Sequence, residues 1–505
     1  MTTRAQIHAL AVSTLILAAL GAAVPAMATA APGDPTLVTL PSPGLPLVAV
    51  RLLFKVGSID DPPGKEGLAA LTAYMIGQGG TQKHTYSELV DLLYPMAASI
   101  EVNVDREVTL VAGTVHRETL GDYTRLLAEA VLEPRFAADD LERNREQLLA
   151  FVTSSMRSND ELLGLEMLQE RIFAGHPYAH FAAGTEEGLK AITLDDVKDF
   201  YARHYSRANL MIGVAGGYAQ AYPAELERAF AKLPAGAAAR AALPAPRTPQ
   251  GRELTIVEKE TGSVGIHFGH YLPLTWSDAD YYALLVANSY LGEHRTFHGR
   301  LMQQLRGLRG LNYGDYSYIE YYDAPPFTTT PTPNVPRRQQ YFSVWVRPVV
   351  PDDAVFALRA ALYEVERLIG QGLSEEEFQL TRNFVVNYSK LWAQTLGQRL
   401  GFHMDSRYYG VPYYIDEIER RLQALTRDQV NGAVKKHLQT KDLAVVLVGA
   451  QAAALQAKLE AGAPSPKTYN SQVPPEVLAA DQAIQALPIQ PAKIEILPVA
   501  EAFKK

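Results

Sequence analysis

The chain of 505 residues predicts an α+β protein made of two homologous domains. Each is expected to be a mostly antiparallel sheet with helices packed on one side, and a linker joins the two. An internal repeat, the order of strands and helices within each copy, and a structureless stretch between the copies carry that expectation.

The repeat is clearest near the end of each copy. Ile192-Thr193-Leu194-Asp195-Asp196-Val197 opens a helix that runs through His204, followed by an apolar strand over 210–214 and Gly216. Leu425-Thr426-Arg427-Asp428-Gln429-Val430 opens its counterpart through His437, followed by a strand over 443–448 and Gly449. In both, a threonine stands as N-cap before an acidic first turn, which satisfies free amides and suits the helix dipole. Upstream, Phe136-Ala137-Ala138-Asp139-Asp140-Leu141 and Leu373-Ser374-Glu375-Glu376-Glu377-Phe378 each start a longer helix. Pro177-Tyr178 and Pro412-Tyr413 follow at similar distances. A unit of roughly 200 residues repeated once accounts for all of this, and that is an ordinary domain size.

Within the first copy, 47–56 reads as a strand, 65–78 as a helix and 120–132 as another helix. Residues 99–115 carry a period-two pattern around Val102, Val104, Val108 and Leu110. The stretch 233–250 is rich in Ala, Pro and Arg and reads as linker. The first domain is therefore placed at 31–232 and the second at 251–462. The remaining 463–505, with Pro464, Pro466, Pro474 and Pro475, is expected to run extended over the surface as a tail.

Residues 1–30 are expected to be a secretory signal peptide: Arg4, an apolar run over 9–24, then Ala26-Met27-Ala28 and Ala28-Thr29-Ala30 as cleavage sites. The protein is then periplasmic or secreted, with no stable membrane anchor. The absence of cysteine excludes a lipid-modified cysteine, a cysteine nucleophile and a thiolate metal site. A net charge of −8 argues against nucleic acid as partner.

Two motifs carry the chemistry. Gly67-Leu68-Ala69-Ala70-Leu71-Thr72-Ala73-Tyr74-Met75 keeps the frame G-L-A-H-x-x-E-H-M of a zinc-peptidase helix. Leu305-Arg306-Gly307-Leu308-Arg309-Gly310-Leu311-Asn312-Tyr313 is similar to the signature L-R-E-x-x-G-L-x-Y. With these two motifs and the duplication, nearly all of the mature chain resembles the pitrilysin/insulinase family of metallopeptidases, in particular the processing-peptidase branch with paired subunits.

The resemblance implies that Ala70 and Tyr74 stand where the family has its two zinc-binding histidines, and Ala73 where it has its general base. The family's spacing puts the third ligand position at Phe151. An alanine offers neither a lone pair nor a proton acceptor, and a phenol is a poor zinc ligand at neutral pH. No cofactor is therefore expected in this chain. The resemblance also implies that Arg306 and Tyr313 grip a substrate carbonyl, acting in the site of a zinc-bearing partner. Gly307 replaces a glutamate that could orient Arg306, and Arg309 is a second cation beside it.

The leading expectation is a non-catalytic, substrate-binding subunit of a heterodimeric zinc peptidase. Its partner would be a homologue with an intact H-x-x-E-H motif, and its substrate a peptide. A peptide-binding or structural scaffold with no hydrolytic role is the alternative. A self-sufficient hydrolase has little support, since no G-x-S-x-G elbow is present. Other histidine pairs read as structural: His294 with His298 at the start of a helix, His176 with His180 in a loop around Tyr178, and His267 with His270 on a strand. Tyr316, Tyr318, Tyr321 and Tyr322 read first as sheet packing and second as a pocket for a substrate side chain.

Overall fold

The structure, a computed structural model, describes residues 36–236, 240, 242–293, 298–322 and 329–505. The segment expected to be a signal peptide lies outside the described residues. The first half runs β1 (Thr36–Pro41), β2 (Leu47–Phe54), α1 (Leu68–Gln78), α2 (Tyr86–Leu93), β3 (Glu101–Val104), β4 (Thr109–His116), α3 (Leu120–Leu132) and α4 (Ala138–Ala150). It continues with α5 (Asp160–Ile172), α6 (Glu186–Ala191), α7 (Leu194–His204), β5 (Leu210–Gly216) and α8 (Tyr222–Phe230). The second half runs β6 (Arg252–Glu258), β7 (Val264–Leu272), α9 (Ala279–Leu291), β8 (Gly314–Tyr318), β9 (Gln340–Val349), α10 (Ala354–Gln371) and α11 (Glu375–Ser389). It closes with α12 (Leu396–Tyr409), α13 (Tyr414–Ala424), α14 (Arg427–His437), β10 (Leu443–Gly449), α15 (Ala452–Ala461), α16 (Pro475–Ala486) and β11 (Pro491–Pro498).

The duplication is visible in the strand order. The first sheet reads β1-β5-β2-β4-β3 and the second β6-β10-β7-β9-β8, with β11 added beside β6. In each sheet the first two of these strands pair in parallel and the rest antiparallel. The capping threonines behave as the sequence implies. Thr193 and Thr426 each accept from the third helical amide and are answered by Asp196 and Gln429, closing a capping box.

Helices on one side describe only half of the packing. The far face of each sheet is covered by a helix from the other half. Helix α5 lies on β7 and β10, and α12 lies on β1, β2 and β5. Both crossings are close enough to require glycine. A Cβ on Gly164 of α5 would collide with the ring of His267 on β7. A Cβ on Gly213 of β5 would collide with Met404 of α12. Leu400 and Met404 complete a small core with Val38, Ala49, Leu53, Met211 and Ala215. Two half-covered sheets thus bury their second faces by exchanging one helix each, and the halves cannot separate without exposing both.

Helix α12 also carries a buried acid. Asp405 accepts from the Asn334 main-chain amide at 2.6 Å and from its Nδ2 at 3.1 Å, while Arg51 of β2 bonds the Asn334 carbonyl oxygen. Burial pushes the Asp405 carboxyl up to about 7, against the Asn334 hydrogen bonds and the Arg51 charge. The folded chain therefore binds this proton more tightly than the unfolded chain, whose carboxyl keeps a value near 3.8. The resulting stability is complete below the unfolded value and is lost as pH rises through 7. Wild type is expected to lose a few kcal/mol relative to Asp405→Asn between pH 5 and 8, a tenfold change in proton affinity being worth about 1.4 kcal/mol. Urea midpoints of both proteins across that range test this, and parallel profiles would contradict it.

Of the segment expected to be an extended tail, 463–474 carries no helix or strand, but from Pro475 on it is folded. Pro475 sits in the first turn of α16, where its missing N–H costs nothing, and β11 is an edge strand whose prolines lie at its two ends. Strand β11 pairs in parallel with β6. Beyond it, Phe503 reaches the first half and packs on Phe181 with ring centroids 5.4 Å apart. Proline-rich composition misled here because Pro474 and Pro475 mark the start of a helix, while Pro464 and Pro466 lie in the irregular stretch before it.

Candidate functional site

Helix α1 begins at Gly67, whose φ of 107° lies in the left-handed region, with Leu189 and Gly184 where a side chain would go. Glycine has no cap to offer, so the buried Asp61 supplies one. Its carboxylate accepts from the amides of Gly67 at 2.8 Å and Ala69 at 2.7 Å. His180 Nε2 lies 3.1 Å from the same group. Burial raises the Asp61 carboxyl, and His180 and the two amides oppose the rise. His180 is thus committed to the helix start. His176 packs edge-on against Tyr178 and reaches the Pro244 carbonyl at 3.1 Å.

Ala70, Tyr74 and Phe151 converge on one cavity of about 230 Å³. Phe151 opens a π-helical stretch, Phe151–Met156, that continues α4. Its ring stands 5.9 Å from that of Phe181, so an aromatic cluster lies where the family resemblance places a ligand. Ala73 is buried on the same helix. Glu142 and Glu146 are exposed on α4 and do not line the cavity.

Two carboxylates do line it, Asp105 and Glu166. Both are committed to buried guanidiniums. Glu166 accepts from Arg106 at 2.7 Å, with 5% and 1% of the two side chains exposed. Asp105 is held bidentately by Arg337 at 2.7 and 2.5 Å. The four emptied positions have no donor set for zinc, and these two acids are already neutralised. Among the described residues no three His, Asp or Glu side chains are grouped to hold a metal. The residues do not fit the group, and no step through a metal follows for this chain.

This buried charge network was missed from the sequence. Residues 99–115 are a hairpin, and Asp105, Arg106 and Glu107 are its turn, inserted between β3 and β4. Three charges interrupting an alternating apolar pattern were the available signal. Arg337 links the turn to α5 by donating to Gln169 at 2.6 Å, and its guanidinium lies 3.4 Å over the centre of the Tyr321 ring. Glu107 accepts from Arg338 at 2.7 Å, Arg240 at 3.2 Å, Tyr408 at 2.8 Å and Tyr178. Of the four clustered tyrosines, Tyr316 and Tyr318 pack in the sheet and Tyr321 faces the cavity.

Arg306 and Tyr313 meet at the surface of the second half. Arg306 lies on the π-helical turn Met302–Gly307. The turn is closed by Leu311 N–H to Leu305 O at 3.1 Å and Gly310 N–H to Arg306 O at 2.9 Å. Gly310 has a φ of 59°, and its bond to the Arg306 carbonyl is that of a left-handed αL ending. The reversal brings Tyr313 back beneath Arg306, with the guanidinium 4.4 Å from the ring centre. Tyr313 is 68% exposed. Neither residue lines the cavity around Ala70. Behind them Asp315 is buried and accepts from Asn312 at 2.6 Å. Burial lifts its carboxyl to about 7, with Asn312 and the Arg306 charge pulling the other way.

Arg309 is no rival to Arg306. It is buried and donates to Asp481 of α16 at 2.8 Å. Its function is to hold α16 in place, which only the fold of the segment after 462 reveals. His294 lies outside the described residues, and His298 is exposed. His267 and His270 are both buried on β7, and burial beside Arg347 pushes His267 down to about 3.

Two duplicated sheets exchanging one helix each, with no group of three metal-holding side chains among the described residues, define a peptidase-type fold. The chain belongs to the insulinase family of peptidases, M16. The model of that family matches residues 37–186 and the model of its inactive domain matches residues 191–385. The chain is 24% identical over 407 residues to the non-peptidase homolog YmxG of Helicobacter pylori, covering 80% of this chain and 89% of that one. It is 22% identical over 427 residues to cytochrome b-c1 complex subunit 1, mitochondrial, of Caenorhabditis elegans, covering 80% and 84%. The crystal structure of a peptidase M16 inactive domain from Pseudomonas fluorescens superposes with a TM-score of 0.71 at 23% identity, covering 83% of this chain and 96% of that one.

Proposed function

We propose that this chain is the non-catalytic, substrate-binding subunit of a heterodimeric zinc peptidase, exported to the periplasm or secreted. Its partner is a homologous subunit with an intact H-x-x-E-H motif, and the partner's zinc supplies the attacking water. Arg306 and Tyr313 bind the peptide and donate to the carbonyl oxygen as it gains charge. The observation that carries this reading is a contrast within one chain. The zinc positions are filled by Ala70, Tyr74 and Phe151 around a cavity, while Tyr313 stays exposed with Arg306 stacked on it. A stacked guanidinium and phenol at the surface are poor investments for stability and good donors for a bound carbonyl.

The test is reconstitution. The chain is mixed with a homologue from the same cell that carries H-x-x-E-H, and unfolded peptides are supplied. Peptide cleavage is expected only from the co-purifying pair, with about one zinc per pair by metal analysis, and chelation is expected to abolish it. Equal cleavage by the homologue alone, or cleavage by this chain alone, sinks the reading. A scaffold without hydrolytic role is favoured by one observation, that Arg306 and Tyr313 do not line the cavity around Ala70. A stable pair that cleaves nothing would establish it.

A further inference from the structure

A cavity of about 420 Å³ opens on the second half between α9 and α11. Comparison of the two copies accounts for it. Helices α1 and α4 pack together in the first half, and α9 and α11 pack together as their counterparts. Arg143 of α4 donates to the carbonyl of Gln78, the last residue of α1, and so bridges the first pair. Counted from the matching helix starts at Phe136 and Leu373, Leu380 stands where α4 has Arg143, and Phe384 where it has Gln147. A leucine cannot make that bridge. Leu380 is 73% exposed and Phe384 is 40% exposed, although both are apolar. The Phe384 ring is stacked on Tyr388, with ring centroids 5.2 Å apart.

The charged groups of the lining are already answered. Arg300 donates to the buried Glu364 at 2.8 Å. Glu377 accepts from the Tyr290 hydroxyl at 2.8 Å and from the Ser374 amide at 2.8 Å. One paired cation and one satisfied carboxylate argue against a phosphate or a polybasic ligand. Gln303, Thr381 and His298 also line the cavity, and their side chains make no hydrogen bond among the described residues. An amide, a hydroxyl and an imidazole beside an exposed leucine and phenylalanine match a ligand with apolar bulk and amide groups. A hydrocarbon chain would cover the apolar part and leave the three polar groups without partners, at a cost. A peptide serves both, since each residue offers a donor and an acceptor on its main chain.

We propose that this cavity receives a large apolar side chain, phenylalanine or leucine, of an extended peptide whose main-chain amides meet Gln303, Thr381 and His298. Its volume lies in the range of small-ligand sites and suits one large side chain with its flanking main chain. Gln303 and Arg306 lie on one turn, Met302–Gly307, so a peptide anchored here is held on the element that carries Arg306. As a specificity site for cleavage the cavity rests on the substrate-binding reading above. As a peptide site it stands on its own lining.

Ligand-observed NMR titration of the full chain tests the assignment, with short, terminally blocked Gly-Ser peptides that carry one central Phe, Leu, Ala or Lys. The Phe and Leu peptides are expected to saturate one site. The Ala and Lys peptides are expected to bind at least about tenfold more weakly, the ratio set by burying one large apolar side chain. Phe384→Ala is expected to weaken binding of the Phe peptide about tenfold. Leu380→Arg, which copies the first half, is expected to abolish it. Both side chains are exposed, so the melting temperature is expected to hold in either variant. No saturable binding, equal binding of all four peptides, a fatty acid binding as tightly as the Phe peptide, or wild-type affinity in both variants overturns the site. So does dimerisation of the free chain that Leu380→Arg abolishes, which would give this face to a second copy. In the reconstituted pair, Phe384→Ala is expected to raise KM for the Phe peptide and not for the Ala peptide, and an unchanged KM overturns the specificity role. A pair that cleaves nothing while this chain still binds the Phe peptide supports the site and sinks only the peptidase reading.

Discussion

Replacing Arg337 with alanine is expected to destabilise the protein by about 3–5 kcal/mol, because it leaves a buried carboxylate without its counter-ion. Arg337 is 0% exposed and answers Asp105 with two bonds, Gln169 with a third and the Tyr321 ring with its face. Asp105 and Gln169 belong to the first half and Arg337 to the second, so the loss falls on the joint between them. Urea denaturation of Arg337→Ala measures it. The double variant Asp105→Leu with Arg337→Met is expected to recover most of the loss, since two apolar groups need no partner. A cost below about 1 kcal/mol for Arg337→Ala would mean that water or a neighbour replaces the pair, and that the network does not clamp the halves.

Arg306→Ala is expected to lower turnover of the reconstituted peptidase by about 10²- to 10³-fold, the usual value of a donor aimed at a developing oxyanion. Tyr313→Phe removes one O–H and keeps the ring under Arg306, so its loss is expected mainly in kcat. Because the pair lies at the surface, stability is expected to change by no more than about 0.5 kcal/mol in either variant. That separation of activity from stability is the informative readout. Unchanged turnover with Arg306→Ala in a pair that still assembles would remove these residues from the proposed mechanism and leave the scaffold reading.

The reliable parts of the sequence were those governed by neighbours along the chain. The capping boxes at Thr193 and Thr426, the apolar strands 210–216 and 443–449, and the equal order of elements in two copies follow from local rules of caps and periodicity. The family resemblance assigned the emptied zinc positions to Ala70, Ala73, Tyr74 and Phe151, and the fold gathers Ala70, Tyr74 and Phe151 around one cavity. Arg306 and Arg309 show where such reasoning stops. They are three apart on one motif, yet one is stacked at the surface and the other is sealed against Asp481 of α16.

By itself, then, the sequence determined the two-domain α+β class and the repeat. Tertiary structure alone decided the exchange of α5 and α12 across the halves, the folding of the chain from Pro475 on against the second half and the seating of Asp105 on Arg337. The reason is physical. A helix start or a missing ligand is written within a few residues. The partner that neutralises a buried charge, or the sheet face that needs covering, lies hundreds of residues away and is chosen by what else must leave water.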